Sequence, residues 1–231
     1  MDSDEQTARI RTLRAKCLSR KDIARALGVP PATAARLVRA IAAEQRTDPA
    51  QREVLGCWVN PGWSVGLTIH GHPHWVDLPQ PDNGAEGLVA VLVARDAGRS
   101  RVSVCGYLVD VYCLGVKDTI GPRVMNADQA AQFTRRFYDA YQAAPAAAPL
   151  DLAQNLVHGA VEYARTLGFD PAPDLDATKD HLGPWSGQGA ITFGRDGKPF
   201  FLQGPHDNSA HIVSTLRRSV GPDNFEYLIA V

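Results

Sequence analysis

The sequence predicts an α+β protein: a small all-α head followed by a larger, mixed and mainly antiparallel α+β body. Three observations carry this. Apolar residues recur at helical spacing up to about residue 44, and after the short polar connection "QRTDPAQRE" the pattern turns to β. The runs "GLVAVLVAR" and "RVSVCGYLVDVYC" are separated only by "DAGRS", the signature of an antiparallel hairpin. Strand runs are then followed by helical patterns without strict alternation, which argues against a doubly wound sheet. The expected domains are residues 1–46 and 53–231.

Composition sets the outer limits. With 45% hydrophobic and 21% charged residues, the chain has the makeup of a globular protein, not a disordered one. No apolar run approaches the roughly 20 residues that span a bilayer. The start "MDSDEQTARI" is acidic and polar, unlike a signal peptide, so a cytoplasmic location without membrane contact is expected. Cys17, Cys57, Cys105 and Cys113 include no CxxC pair, which excludes a zinc ribbon or redox motif and leaves reduced thiols as the expectation. Charge is divided unevenly: residues 1–46 hold ten Lys/Arg against five Asp/Glu, a net +5, leaving 14 against 20, a net −6, for the rest. Only the head is suited to a polyanion.

In the head, "SRKDIARALGVPPATAARLVRAI" places Ser19 as an N-cap before a helix over 20–27, with Ile23, Ala24 and Leu27 on one face. Gly28 falls where a left-handed helix end is needed, and Val29 can fill the angle between two helices. Pro31 suits a first helical turn, and Ala34, Leu37, Val38 and Ile41 stripe the next helix. Upstream, Ile10, Leu13 and Cys17 predict a supporting helix.

The stretch "IARALGVPPATAARLVRAI" resembles the helix-turn-helix of bacterial regulators and recombinases. The resemblance implies double-stranded DNA as partner, with Pro31, Ala32, Thr33 and Arg36 facing the major groove and Arg20, Lys21 and Arg39 reaching phosphates. A helical hairpin used for dimerisation or docking is the alternative. The Pro- and Ala-rich reading positions offer few hydrogen-bond donors, so a homodimer is expected to supply affinity and specificity.

In the body, "SVGLTI" predicts a strand and "HGHPHWVDLPQPDNG" a loop. After the 88–113 hairpin come helices over 127–142 and 150–167, the second with Leu152, Leu156, Ala160, Tyr163 and Leu167 on its apolar face. "AITFG" and "KPFFLQG" around Asp196-Gly197 predict a second hairpin, Asp207 or Asn208 caps a helix carrying Ile212, Val213 and Leu216, and "FEYLIAV" ends as a strand. The stretches "LVDVYCLGVKD", "LVHGAVEYARTLGF" and "FGRDGKPFFLQGPHD" resemble a group of uncharacterised bacterial proteins, a likeness that covers most of residues 87–231 and implies a recurring domain without a reaction.

Candidate chemistry lies in three places. Asp110 sits in an apolar strand, where an ionised carboxylate needs an ion-pair partner such as Lys117, or a metal. As one strand, 102–113 would send Asp110 and Cys113 to opposite faces, so Cys113 is expected to be a packed thiol. His158 and Glu162, four apart on a helix, meet side by side, either on a solvated face or for acid–base or metal work. Asp110, Lys117, Asp118, His158 and Glu162 together would suit a metal-dependent enzyme acting on nucleic acid or nucleotides. Third, His70, His72 and His74 alternate and offer imidazole metal ligands if the chain is extended. Trp58, Trp63 and Trp75 nearby suit an aromatic pocket. The sequence identifies no cofactor. The leading expectation is a DNA-binding transcriptional regulator whose body dimerises or senses a small-molecule ligand; the alternatives are the enzyme and a protein-interaction adaptor.

Overall fold

The computed structural model describes residue 12 and residues 20–38, 48–78, 86–141, 143–187 and 189–229. The chain divides into two compact units, Met1–Arg52 and Glu53–Val231. Ile10, Leu13 and Cys17 of the expected upstream helix, the Ser19 cap, Ile41 and Arg39 lie outside the described residues, as do the side chains of Arg20 and Lys21.

In the first unit, α1 spans Arg20–Leu27. It closes with Gly28 N donating to Arg25 O at 3.3 Å and Val29 N to Ala24 O at 3.1 Å, while Gly28 adopts φ +66°. This double closure requires the left-handed conformation that glycine adopts without a Cβ penalty. Helical geometry resumes at Pro31 and continues through residue 38 as α2. Ile23 and Val38 form a small core with Leu27 and Leu37 against it, and Ala24 and Ala34 are also buried.

The second unit is built on a five-stranded sheet of order β5-β4-β3-β1-β6, every neighbouring pair antiparallel. Its strands are β1 Val54–Val59, β3 Leu88–Gly98, β4 Arg101–Asp110, β5 Gly115–Asn126 and β6 Ala146–Ala148. The expected β3–β4 hairpin is present, turned by Arg99 and Ser100 at φ 53° and 57°. Two left-handed residues give the primed turn whose twist matches the strands. The sheet is covered on both faces. Val91, Val93, Cys105, Tyr107 and Val109 pack with Leu152, Leu156, Val157 and Ala160. Ala90, Leu92, Ala94 and Val104 pack with Phe133, Phe137 and Tyr138.

Helix α3, Ala127–Phe137, covers the second of these faces and opens with an Asn126–Gln129 capping box. Helix α4 covers the first, running as Leu150–Gln154, a π-helical turn Asn155–Gly159, and Ala160–Thr166. After a short α5, Leu175–Thr178, the chain forms β7, Ile191–Thr192, which pairs with β2, Thr68–Ile69. Strands β8, Phe200–Leu202, and β9, Glu226–Leu228, pair in parallel across α6, Ser209–Ser219.

Several expectations are corrected. The "SVGLTI" strand shortens to Thr68–Ile69, because residues 61–66 are turns. The second hairpin is only a tight turn with one Arg195–Lys198 bridge, and its two arms join different sheets. Strands β1, β5 and β6 were not anticipated. In β6 an alanine run, poor in intrinsic strand preference, is held as an edge by its backbone bonds to β1. β5 carries Pro122, which an edge strand tolerates because no neighbour needs its missing N–H. No helix among the described residues is long and apolar enough to cross a membrane.

Candidate functional site

The stretch "VDVYCLGVKD" is where the central sheet meets the β8–α6–β9 unit. β4 ends at Asp110, not at Cys113, because the Asp110 Oδ1 accepts from Tyr112 N at 3.0 Å and Cys113 N at 2.9 Å. The side chain thus takes donors that a continuing ladder would have used, and the chain turns. Val111 N then donates to Gly87 O, Gly194 N to Val111 O and Phe200 N to Tyr112 O, so three separate segments are tied to this turn. The Tyr112 hydroxyl donates to Val65 O at 2.8 Å.

Asp110 is buried. Burial pushes its carboxyl up to about 6, against the lowering effect of the Cys113 N–H, the Lys117 charge and the Tyr112 N–H. The ion-pair partner of Lys117 is Asp207, not Asp110: Nζ lies 2.9 and 2.7 Å from the two Asp207 oxygens. Asp207 also accepts from Gly204 N at 2.8 Å, which leaves Asn208 as the α6 cap through His211 N. Lys117 contributes to Asp110 through its field alone. Glu86, Asp110, Tyr112, Lys117, Phe200 and Gln203 line a cavity of about 190 Å³. Burial drives the Cys113 thiol well above its ordinary range, so it is inert packing.

The five residues expected to form one catalytic site are divided. Asp110 and Lys117 line the cavity, whereas Asp118 is exposed and accepts from Thr119 N at 2.9 Å. His158 lies within the π-helical turn of α4, stacked on Trp185 with ring centroids 5.6 Å apart, and Trp185 Nε1 donates to Glu162 Oε1 at 2.9 Å. The indole therefore bridges the expected pair. Burial lowers the His158 pKa, with Glu162 opposing, and its buried Nε2 has no hydrogen-bond partner.

The alternating histidines also separate. His70 Nε2 lies 2.8 Å from Thr192 Oγ1, away from the others, because the chain bends at Gly71, φ +72°, between His70 and His72 in place of continuing extended. His72 and His74 instead meet Asp151. Among the described residues, these three form the one group of three or more His, Cys, Asp or Glu side chains placed to share an ion, their ligand atoms lying within 4.8 Å of one another. In the head, Pro31, Ala32 and Arg36 are exposed at the start of α2 and Thr33 is half-buried.

No protein-family model, curated protein or solved structure matches this chain. Its chemistry has to be read from its own residues. Asp207, Asp151 and Trp185 were not singled out from the sequence as site residues. Asp207 carried a capping signal that belongs to its neighbour, and nothing local links Asp151 to Trp75, 76 positions earlier, although Trp75 Nε1 donates to it.

Proposed function

We propose that the chain is a DNA-binding regulator whose N-terminal helical pair reads the major groove and whose α+β body takes a small polar ligand in the Asp110 cavity. The observation that carries the reading is the junction of α1 and α2. A glycine-closed helix end at Gly28 is followed within three residues by a helix whose first turn exposes Pro31 and Ala32, with Arg36 exposed one turn on. That layout supports insertion of the N-terminal end of α2 into the groove. Arg36 is the side chain suited to a two-point contact with guanine, and the head's excess of cations suits the phosphates on either side. One arginine among prolines and alanines reads little sequence, so the proposal includes a homodimer on a palindromic site. The cavity supports the ligand part: it combines a buried carboxyl with a pKa of about 6, the Lys117 ammonium held by Asp207, and an aromatic wall.

Selection of bound duplexes from a random library by the full-length protein, followed by titration at two salt concentrations, tests this. An enriched intact palindrome is expected, with a steep salt slope and binding weakened at least tenfold by Arg36→Ala. Absence of binding at low salt would overturn it and favour the adaptor.

A second reading draws on the same cavity. Asp110, held up to about 6, has a proton affinity suited to acid–base work on a nucleotide-like substrate, with the head as targeting module. Cleaved or modified products in the selection, lost in a folded Asp110→Asn variant, would favour it.

A further inference from the structure

We propose that His72, His74 and Asp151 bind one divalent ion of the zinc class, joining the 70–78 segment to the start of α4. Asp151 is the hub. Its Oδ2 lies 3.9 Å from His72 Nδ1 and 3.6 Å from His74 Nε2. Both separations are too long for hydrogen bonds. They are close to the spacing of about 3.3 Å that ligand atoms adopt around a tetrahedral ion with bonds of about 2.0–2.1 Å. A shift of a few tenths of an ångström toward a shared centre completes the geometry on the carboxylate side.

The surroundings aim these atoms at that centre. Asp151 Oδ1 is already engaged by Trp75 Nε1 at 3.3 Å and Leu152 N at 2.9 Å, which leaves Oδ2 turned to the imidazoles. Such a partner on the far oxygen is the usual way a protein orients a metal-binding carboxylate. The His72 ring lies flat on Trp75, centroids 3.9 Å apart and planes 14° from parallel, and Trp75 is itself buried in the main core. His72 Nδ1 is buried there without a hydrogen-bond partner. A buried imidazole nitrogen left without a partner costs free energy that a coordinate bond would offset.

The donor set selects the ion. Two imidazoles and one carboxylate suit Zn²⁺, Co²⁺ or Ni²⁺, whereas Mg²⁺ and Ca²⁺ prefer all-oxygen shells. Three protein ligands leave a coordination position for water or an added ligand. His70, bonded to Thr192, is not part of the set.

The test uses tag-free full-length protein stripped with a chelator, then equilibrium dialysis against Zn²⁺ in the presence of excess Mg²⁺, with metal content measured per chain. One retained zinc per chain is expected. His74→Gln and Asp151→Asn should each weaken retention at least tenfold, and His70→Ala should leave it unchanged. Co²⁺ substitution should quench Trp75 fluorescence in the parent and not in His74→Gln. The proposal is overturned if the parent retains no zinc, if folded His74→Gln binds as the parent does, or if His70→Ala loses as much as His74→Gln. His74 is exposed, so its replacement decides the matter even if Asp151→Asn fails to fold.

Discussion

Lys117 on β5 and Asp207, 90 residues later and just before α6, form an ion pair at 2.9 and 2.7 Å with side chains 20% and 11% exposed. The pair fastens the β8–α6–β9 unit to the outer strand of the main sheet. At this burial each charge depends on the other, because water reaches neither freely. Lys117→Met should cost about 2–3 kcal/mol, somewhat under the roughly 3–5 kcal/mol for breaking a fully buried pair. Replacing both residues, as Lys117→Met with Asp207→Leu, should restore much of the loss. Urea unfolding of the singles and the double measures the coupling; strictly additive losses would show that the two charges do not depend on each other.

The Asp110 carboxyl makes stability depend on pH. Its folded pKa of about 6 lies above the ordinary value of 3.8, so the native state holds a proton that the unfolded chain gives up. The resulting contribution is fully present below about pH 4 and is lost as pH rises to about 6. A shift of about two units corresponds to about 3 kcal/mol. Asp110→Asn keeps an oxygen acceptor for Tyr112 and Cys113 and carries no charge. It should therefore flatten the stability profile between pH 4 and 6 and leave the protein as stable as the parent, or more so, at pH 7. Denaturant midpoints at pH 4 and pH 7 report this; equal slopes in parent and variant would contradict it.

How much of this was legible in the sequence depended on whether each signal was local. The β3–β4 hairpin, Gly28 and the apolar face of α4 all declare themselves within a few residues, through alternation, a helix end and a helical repeat. β5 was hidden because Pro122 and its charges lower strand propensity, and only its pairing with β4 makes it a strand. The candidate sites were less legible still. Lys117 and Asp110 stood out, but their partners depend on tertiary placement: Asp207 reaches Lys117 across 90 positions, and Trp185 inserts between His158 and Glu162 from outside the helix. The alternating histidines pointed to imidazole chemistry, but the bend at Gly71 sets His70 aside and Asp151, not a third histidine, stands beside His72 and His74.

Gly87 is a position where shape outweighs composition. A Cβ there would come within 2.3 Å of Tyr112 Cδ2, and the backbone sits at φ +78°. Gly71 has a similar φ of +72° but nothing within 4 Å of its Cβ position. Gly71→Ala should cost only the left-handed backbone, about 1 kcal/mol, whereas Gly87→Ala adds a clash with a buried ring and should cost about 3 kcal/mol or more. Thermal unfolding of the two variants side by side separates strain from crowding, and equal losses would mean that Tyr112 is free to move.

His158 offers the complementary case to Asp110, since burial lowers its pKa below the ordinary 6.5. The folded protein favours the neutral ring. Its contribution to stability is fully present above pH 6.5 and is lost as pH falls through the lowered folded value. Trp185 supplies part of that burial by stacking on the ring, and it also occupies Glu162. Trp185→Ala should admit water to the unpartnered Nε2 and free Glu162 to face the imidazole, and both effects favour the protonated form. An NMR titration should therefore show the His158 midpoint moving upward in the variant. A midpoint that stays put would mean that the walls of α4, not the indole, keep this ring dry.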